Sequence, residues 1–311
     1  MKNPFIYSND NKRYHTWNYY LKKHYQSKVF KVALNASFTC PNRDGTCGVG
    51  GCTFCSSKGS GDYAGNQQDH LMDQFDKGFE MMRRKWPEGQ AIAYFQAYTN
   101  TYGPLEKLKQ TFDPFVEREE VLALAIATRA DALNDENIAY LDSLCDKKDI
   151  WVEVGLQSIH EKTAKLTNRG HDLKCFEEAI MKLAKTRLKI CVHMINSLPN
   201  ETKEEMIETA KYIADLPIHA VKIHMLHVIS DSRMGQDYLK EPFPVLSKDE
   251  YIDVVIAQLE VLPAEMIIQR LTGDANKDHL IVPEWTLKKV IVLNDIDKEM
   301  KRRDTYQGRL R

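Results

Sequence analysis

The sequence predicts an α/β fold, a partial (β/α)6 TIM-like barrel with a helical C-terminal extension. Two observations predict it. Short β-branched or apolar runs recur along the chain, and most are separated by stretches with helical period, the pattern of βαβ units and a parallel sheet. Six such units in about 200 residues suit one barrel, or part of one, better than two domains. A chain of 311 residues is long enough to bury one large core.

Taken in order, residues 1–28 form an N-terminal segment, 29–245 the barrel and 246–311 an extension packed on the same domain. The predicted strands are "KVFKVAL" (28–34), "AIAYFQA" (91–97), "VLALAIAT" (121–128), "IWVEVGL" (150–156), "LKICVHM" (188–194) and "AVKIHML" (220–226). Helical period marks "DHLMDQFDKGFEMMRR" (69–84) and "ENIAYLDSLCDK" (136–147). Two further helices open with capping boxes, Thr202 to Glu205 and Ser247 to Glu250. The last 65 residues read as helices with one added strand, "EMIIQRL" (265–271).

Charge and hydropathy exclude several classes. The formal charge is −1, so no global field draws the chain to nucleic acid or anionic lipid, and a polyanion site must be a local patch. The longest apolar run, "VLALAIA" (121–127), falls far short of the roughly 20 residues needed to span a bilayer. No apolar signal-peptide core is visible near the N-terminus, so a cytoplasmic protein is expected. Reducing thiols there disfavour structural disulfides.

Chemistry is concentrated in "CPNRDGTCGVGGCTFC" (40–55), which holds four of the seven cysteines at the spacing C-x6-C-x4-C-x2-C. The loop follows the first strand, and in βα barrels such loops form the active-site face. Cys52 and Cys55 are close enough in sequence to reach one metal centre. Four-thiolate zinc is one reading, although structural zinc usually takes two short pairs and only one is present. An iron–sulfur cluster held by three thiolates is the other.

Phe54, inside "CTFC", is the second clue. The sequence resembles the radical S-adenosylmethionine (SAM) superfamily, in which a Cys-rich loop after the first barrel strand ends in C-x-aromatic-C. Its C-x11-C-x2-C spacing through Cys40, Cys52 and Cys55 is similar to the YhcC/YtqA-type branch, related to the Elongator catalytic subunit. So are "RYHTWNYYLKKHY", "FQAYTNTYGP", "GLQSIHEKT", "NRGHD", "IIQRLTGDA" and "PEWTLKKVIVLNDID", in that order. The resemblance implies a [4Fe-4S] cluster on Cys40, Cys52 and Cys55, with SAM on the open iron. Cys47 is then extra, although Cys47, Cys52 and Cys55 form a rival triple. Cys145, Cys175 and Cys191 are scattered and read as small buried hydrophobes.

Alternation along the strands supplies pocket candidates. In "IWVEVGLQS", Val152, Val154 and Leu156 face the helices while Glu153, Gly155 and Gln157 point inward. A carboxylate there needs partners. The resemblance makes Glu153 a catalytic or SAM-binding candidate; the alternative is a buried ion pair with Lys222, which shares a face with His224. His193 is the second catalytic candidate, as a proton donor, or else a satisfied core histidine. The superfamily's GGE-like motif is absent after the second strand, leaving Gln96, Thr99 and Asn100 as candidates for the SAM amino group. Phe54, Gln157, Arg129 in "ATRAD", Arg169 in "NRGHD" and Asn196 in "HMINSLPNET" complete the cofactor-binding set; both arginines could equally be surface residues.

The chemistry implied is reductive cleavage of SAM by an electron from an external one-electron donor, giving a 5′-deoxyadenosyl radical that takes hydrogen from a C–H bond. Elongator kinship points to tRNA as partner and to trimming of a 5-carboxymethylaminomethyl wobble uridine to the aminomethyl form. Basic groups at "RRK" (83–85), "KRR" (301–303), Arg309 and Arg311, and aromatics interleaved with cations at 12–28, are the candidate RNA contacts, with helix ends and core packing as alternatives. A radical SAM enzyme on a small metabolite and a zinc-stapled RNA-binding module are the competing readings.

Overall fold

The computed structural model describes residues 3–311. The chain runs α1 (Trp17–Tyr25), β1 (Val29–Leu34), α2 (Leu71–Arg83), β2 (Gln90–Phe95), α3 (Leu105–Val116), β3 (Val121–Thr128), α4 (Asp135–Ser143) and β4 (Asp149–Gln157). It continues through α5 (Glu161–Leu166), α6 (Leu173–Leu183), β5 (Lys189–Asn196), α7 (Lys203–Ala214), β6 (Ala220–Met225), β7 (Val228–Ile229) and α8 (Arg233–Lys240). Last come α9 (Lys248–Val261), β8 (Ile267–Arg270), β9 (Leu280–Val282) and α10 (Lys289–Arg302). Both predicted capping boxes are formed, at Thr202 and at Ser247.

Seven strands, not six, make one parallel sheet in the order β1-β2-β3-β4-β5-β6-β8, curled into a half-barrel with helices around it. The segment 246–311 supplies the strand expected within 265–271, β8, paired with β6 as the seventh strand of the sheet, and a further short strand, β9, antiparallel to β7. A strand as short as β8, only four residues, gives a weak alternation signal.

Alternation sorts the side chains as expected. Val152, Val154 and Leu156 pack with Val192, Ile223 and the helices in the large outer core. Inside, Ala123, Ala125 and Ala220 are small and pack with Trp151, Leu21 and Ile92 in a second core that fills the end of the barrel where the strands begin.

That end is plugged by α1, which Thr16 caps through the Tyr19 amide. Trp17 and Tyr20 stack at 5.3 Å and meet Trp151 edge-on at 4.9 and 5.8 Å. Tyr25 donates to Asp149 (2.6 Å) and Lys189 to Tyr20 (3.1 Å), at the first residues of β4 and β5. The aromatic–basic stretch at 12–28 is thus largely core packing, at the end of the barrel away from the cysteine loop. The C-terminal cations are spent too: Arg302 and Arg303 pair with Glu299, Arg309 with Glu260 and Arg311 with Asp215. These are ion pairs at the end of α10 and in the turns that follow it, not a bare polyanion patch. No helix among the described residues is long and apolar enough to cross a membrane.

Candidate active site

At the C-terminal ends of the strands lies a cavity of about 810 Å³, lined by Cys40, Cys52 and Cys55 at one end and by His224, His227 and Arg270 at the other. Such a volume is in the range that holds a cofactor-sized ligand.

The cysteine end is built by turns. The Arg43 and Asp44 amides return to the Cys40 carbonyl, Gly51 donates to Asn42 (2.7 Å), and Thr53 ties the loop to Thr167 (2.9 Å). Gly51 has φ +78°, and a Cβ there would lie 2.8 Å from the Arg43 side chain. Gly59, at φ +59°, lies flat on the Tyr98 ring, where a Cβ would come within 2.3 Å. Cys47 does not line the cavity; it is exposed and turned to Asp131 (3.4 Å) and Arg129 (3.8 Å).

The donor set fits an iron–sulfur cluster. The hydrogen bond between the Cys52 and Cys55 thiols pushes Cys55 down to about 6 and Cys52 well up. Thiols bind metal as thiolates, so metal binding here would displace their protons. Asn42 points its amide at the Cys52 sulfur (3.7 Å) and Arg129 its guanidinium (3.9 Å), donors that favour sulfur carrying negative charge. Among the described residues no three Cys, His, Asp or Glu side chains converge on one metal ion; a four-iron cube takes each thiolate at a separate iron.

The barrel interior centres on Glu153, whose side chain is fully buried. Lys31 holds one carboxylate oxygen at 2.8 Å; Lys222 and His193 (Nε2, 3.0 Å) hold the other. Burial pushes the carboxyl up, but Lys222 and Lys31 outweigh it and hold the group well below the usual range. Burial and Lys222 bring His193 down to about 4, so its ring is neutral. Its Nε2–H must then donate to the carboxylate, leaving Nδ1 unprotonated. His193 itself lines the cavity beside Glu153. Glu153 is both things at once, ion-paired with Lys222 as the alternative held and also on the cavity wall.

Of the remaining sequence candidates, Phe54, Gln96, Thr99, Arg129 and Gln157 line the cavity. Gln96 donates to the Ser60 carbonyl at 2.8 Å, and Arg129 is paired with Asp131 at 2.7 Å. Asn100, Arg169 and Asn196 lie elsewhere. The Asn100 amide is divided among the carbonyls of Phe95, Ala97 and Ala127 and fastens the end of β2 to β3. Buried Arg169 binds the carbonyls of Leu156 (3.0 Å), Ser158 (2.7 Å) and His171 (2.9 Å), splinting the turn after β4. Asn196 exchanges two hydrogen bonds with Gln258 of α9, outside the barrel.

Sequence reasoning missed Tyr98, His227 and Arg270. Tyr98 lines the cavity at φ +60°, its hydroxyl on the Ser57 carbonyl (2.8 Å). Arg270 stands at the end of β8, in "IIQRLTGDA", and would have emerged had that run been placed in the sheet.

The profile of the radical SAM superfamily matches residues 39–213, and that of the radical SAM C-terminal domain residues 218–302. The uncharacterized protein YtqA of Bacillus subtilis is 48% identical over 307 residues, covering 99% of this chain and 95% of its own. A tRNA uridine(34) acetyltransferase of Methanocaldococcus infernus is 25% identical over 160 residues, 50% of this chain and 29% of its own length. The solved structure of Methanocaldococcus infernus Elp3, truncated at its N-terminus, shares the fold with a TM-score of 0.64 at 19% identity. That match covers 90% of this chain and 64% of the other. The chain belongs to the radical SAM superfamily, enzymes whose cofactors are a [4Fe-4S] cluster and SAM.

Proposed function

We propose that this enzyme acts on the wobble uridine of tRNA, converting a 5-carboxymethylaminomethyl side chain to the aminomethyl form in the cytoplasm. The observation that carries the reading is the similarity of half the chain to a tRNA uridine(34) acetyltransferase. Cys40, Cys52 and Cys55 would hold the cluster, and the Gln96, Tyr98, Thr99 and Gln157 side would hold SAM, which when bound supplies a hydrogen-abstracting radical. An external one-electron donor is required.

The chain's own residues then exclude water, orient the nucleoside and handle protons. His193 Nδ1 accepts one, its ring fixed by Glu153. The target C–H is the methylene beside the substrate's carboxylate. Losing one hydrogen atom there leaves a stabilised α-amino radical. Losing one electron to a one-electron carrier gives an imine, which water splits into the aminomethyl uridine and glyoxylate. An anticodon loop presents the unpaired base this requires. The test is nucleoside mass spectrometry of tRNA from cells lacking the protein. Carboxymethylaminomethyl uridine should accumulate and aminomethyl and methylaminomethyl forms should disappear. An unchanged profile, in a strain with no second route to those forms, transfers the enzyme to a small metabolite.

A further inference from the structure

The end of the cavity away from the cysteines carries more positive charge than its own carboxylates neutralise. Lys31 and Lys222 share Glu153, and Arg270 (3.2 Å) and Lys289 share Asp274. Arg270 and Lys289 stand on the cavity wall with Asp274, while Lys31 and Lys222 reach it only through Glu153, so four basic side chains are matched by two carboxylates. The other carboxylates on the cavity wall, Asp62 and Asp231, are held toward the cysteine loop by Ser56 (2.9 Å) and Ser57 (3.0 Å).

The same wall has unused hydrogen-bonding atoms. His224 Nε2 and His227 Nε2 are buried with no partner, and both rings line the cavity. The titratable groups that bear most on His224 are His193, Arg270, Lys222 and His227, all basic types, of which Arg270 and Lys222 carry charge at neutral pH. Buried polar atoms without partners are costly, and an anionic ligand held beside the half-exposed Arg270 would relieve that cost.

We propose that Arg270, His227 and His224, where β6 and β8 end the sheet, form an anion subsite that holds the carboxylate of the substrate's reacting group. The identity of that substrate rests on the wobble-uridine reading; the subsite follows from the charge and the unpartnered atoms. A backbone phosphate is the other source of anionic oxygen. The site favours the carboxylate because it lies inside the barrel on the wall that carries His193, and a guanidinium fork matches a planar carboxylate in two parallel hydrogen bonds.

The test is calorimetric titration of the anaerobically reconstituted enzyme with three probes: 5-carboxymethylaminomethyluridine, its carboxamide, and uridine 5′-monophosphate. The acid should bind at least about tenfold more tightly than the amide, the scale of one lost charge-assisted hydrogen bond. Arg270→Gln should abolish that preference and His227→Gln reduce it, while Lys298→Gln, on the exposed face of α10, should leave it intact. Equal binding of acid and amide overturns the proposal. So does a preference that survives Arg270→Gln, or an Arg270-dependent affinity for the monophosphate that matches the acid. Should no nucleoside bind, the tRNA reading fails while the subsite stays testable with N-ethylglycine against N-ethylglycinamide. Thermal stabilisation by the acid alone, lost in Arg270→Gln, supports the subsite; no difference between the two overturns it.

Discussion

Cys47 is the residue whose role the spacing left open. With Cys40, Cys52 and Cys55 on the cavity wall and Cys47 turned to Asp131, alanine at each of the three should abolish visible cluster absorbance after anaerobic reconstitution, and Cys47→Ala should keep it. Retention in Cys40→Ala with loss in Cys47→Ala would reverse the assignment. Glu153 is a different case, because it neutralises two lysines. Glu153→Gln leaves Lys31 and Lys222 without a countercharge and should cost about 3–5 kcal/mol in denaturant unfolding. The buried histidines set a pH dependence. His193 and His227 are each held down to about 4, mainly by burial, against 6.5 for an ordinary histidine. Between those values the unfolded chain binds protons that the folded one does not. Stability should therefore fall as pH drops from 6.5 toward 4, by up to about 1.4 kcal/mol per pH unit for each ring. His227→Gln should flatten the slope of stability between pH 7 and 5; an unchanged slope would mean that the ring is already protonated in the fold.

At the scale of elements, α1 acts as a stopper for the bottom of the barrel. Trp151→Ala removes the side chain on which Trp17 and Tyr20 rest and should cost about 3–5 kcal/mol, with cluster reconstitution at the far end unaffected. Loss of the cluster in a folded Trp151→Ala protein would show that the two ends are coupled. The same element explains where sequence reading reached its limit. Strands β1 to β6 were legible because each alternates or runs apolar between helical stretches, and the inward set of β4 could be written down residue by residue. The stretch at 12–28 was not, since aromatics beside lysines read equally as a stacking platform or as a plug whose lysines snorkel past the rim. Choosing requires knowing that Tyr25 and Tyr20 meet the first residues of β4 and β5. Asn100, Arg169 and Asn196 were misplaced for a related reason. Each follows or ends a strand, where a polar side chain serves a cavity or a backbone carbonyl, and only the fold decides which. The cysteine loop was legible from its own spacing, but only the fold places Cys40, Cys52 and Cys55 on the cavity wall and Cys47 off it.

At the scale of the whole molecule, the cavity is built by both ends of the sheet: the loop after β1 supplies the thiols, and β6 with β8 supplies the basic wall. A substrate held by its carboxylate on that wall presents the adjoining methylene toward the cysteine end. Two methylenes flank the secondary amine of a carboxymethylaminomethyl group, and oxidation of either gives an imine. Attack on the one attached to uracil would release glycine and leave a formyl uridine; attack on the one beside the carboxylate would release glyoxylate and leave the amine on the base. On the proposed reading the basic wall would select the second. On the proposed reading each turnover would pass one hydrogen to the cofactor-derived radical and one electron to a carrier, which would consume one SAM per glyoxylate. tRNA deuterated at the methylene beside the carboxylate should therefore yield 5′-deoxyadenosine carrying one deuterium, in equal amount to glyoxylate, by mass spectrometry of the quenched reaction. Unlabelled 5′-deoxyadenosine accompanying product, or label retained while glycine is released, would place the reacting carbon on the other side of the amine and remove the orienting role of β6 and β8.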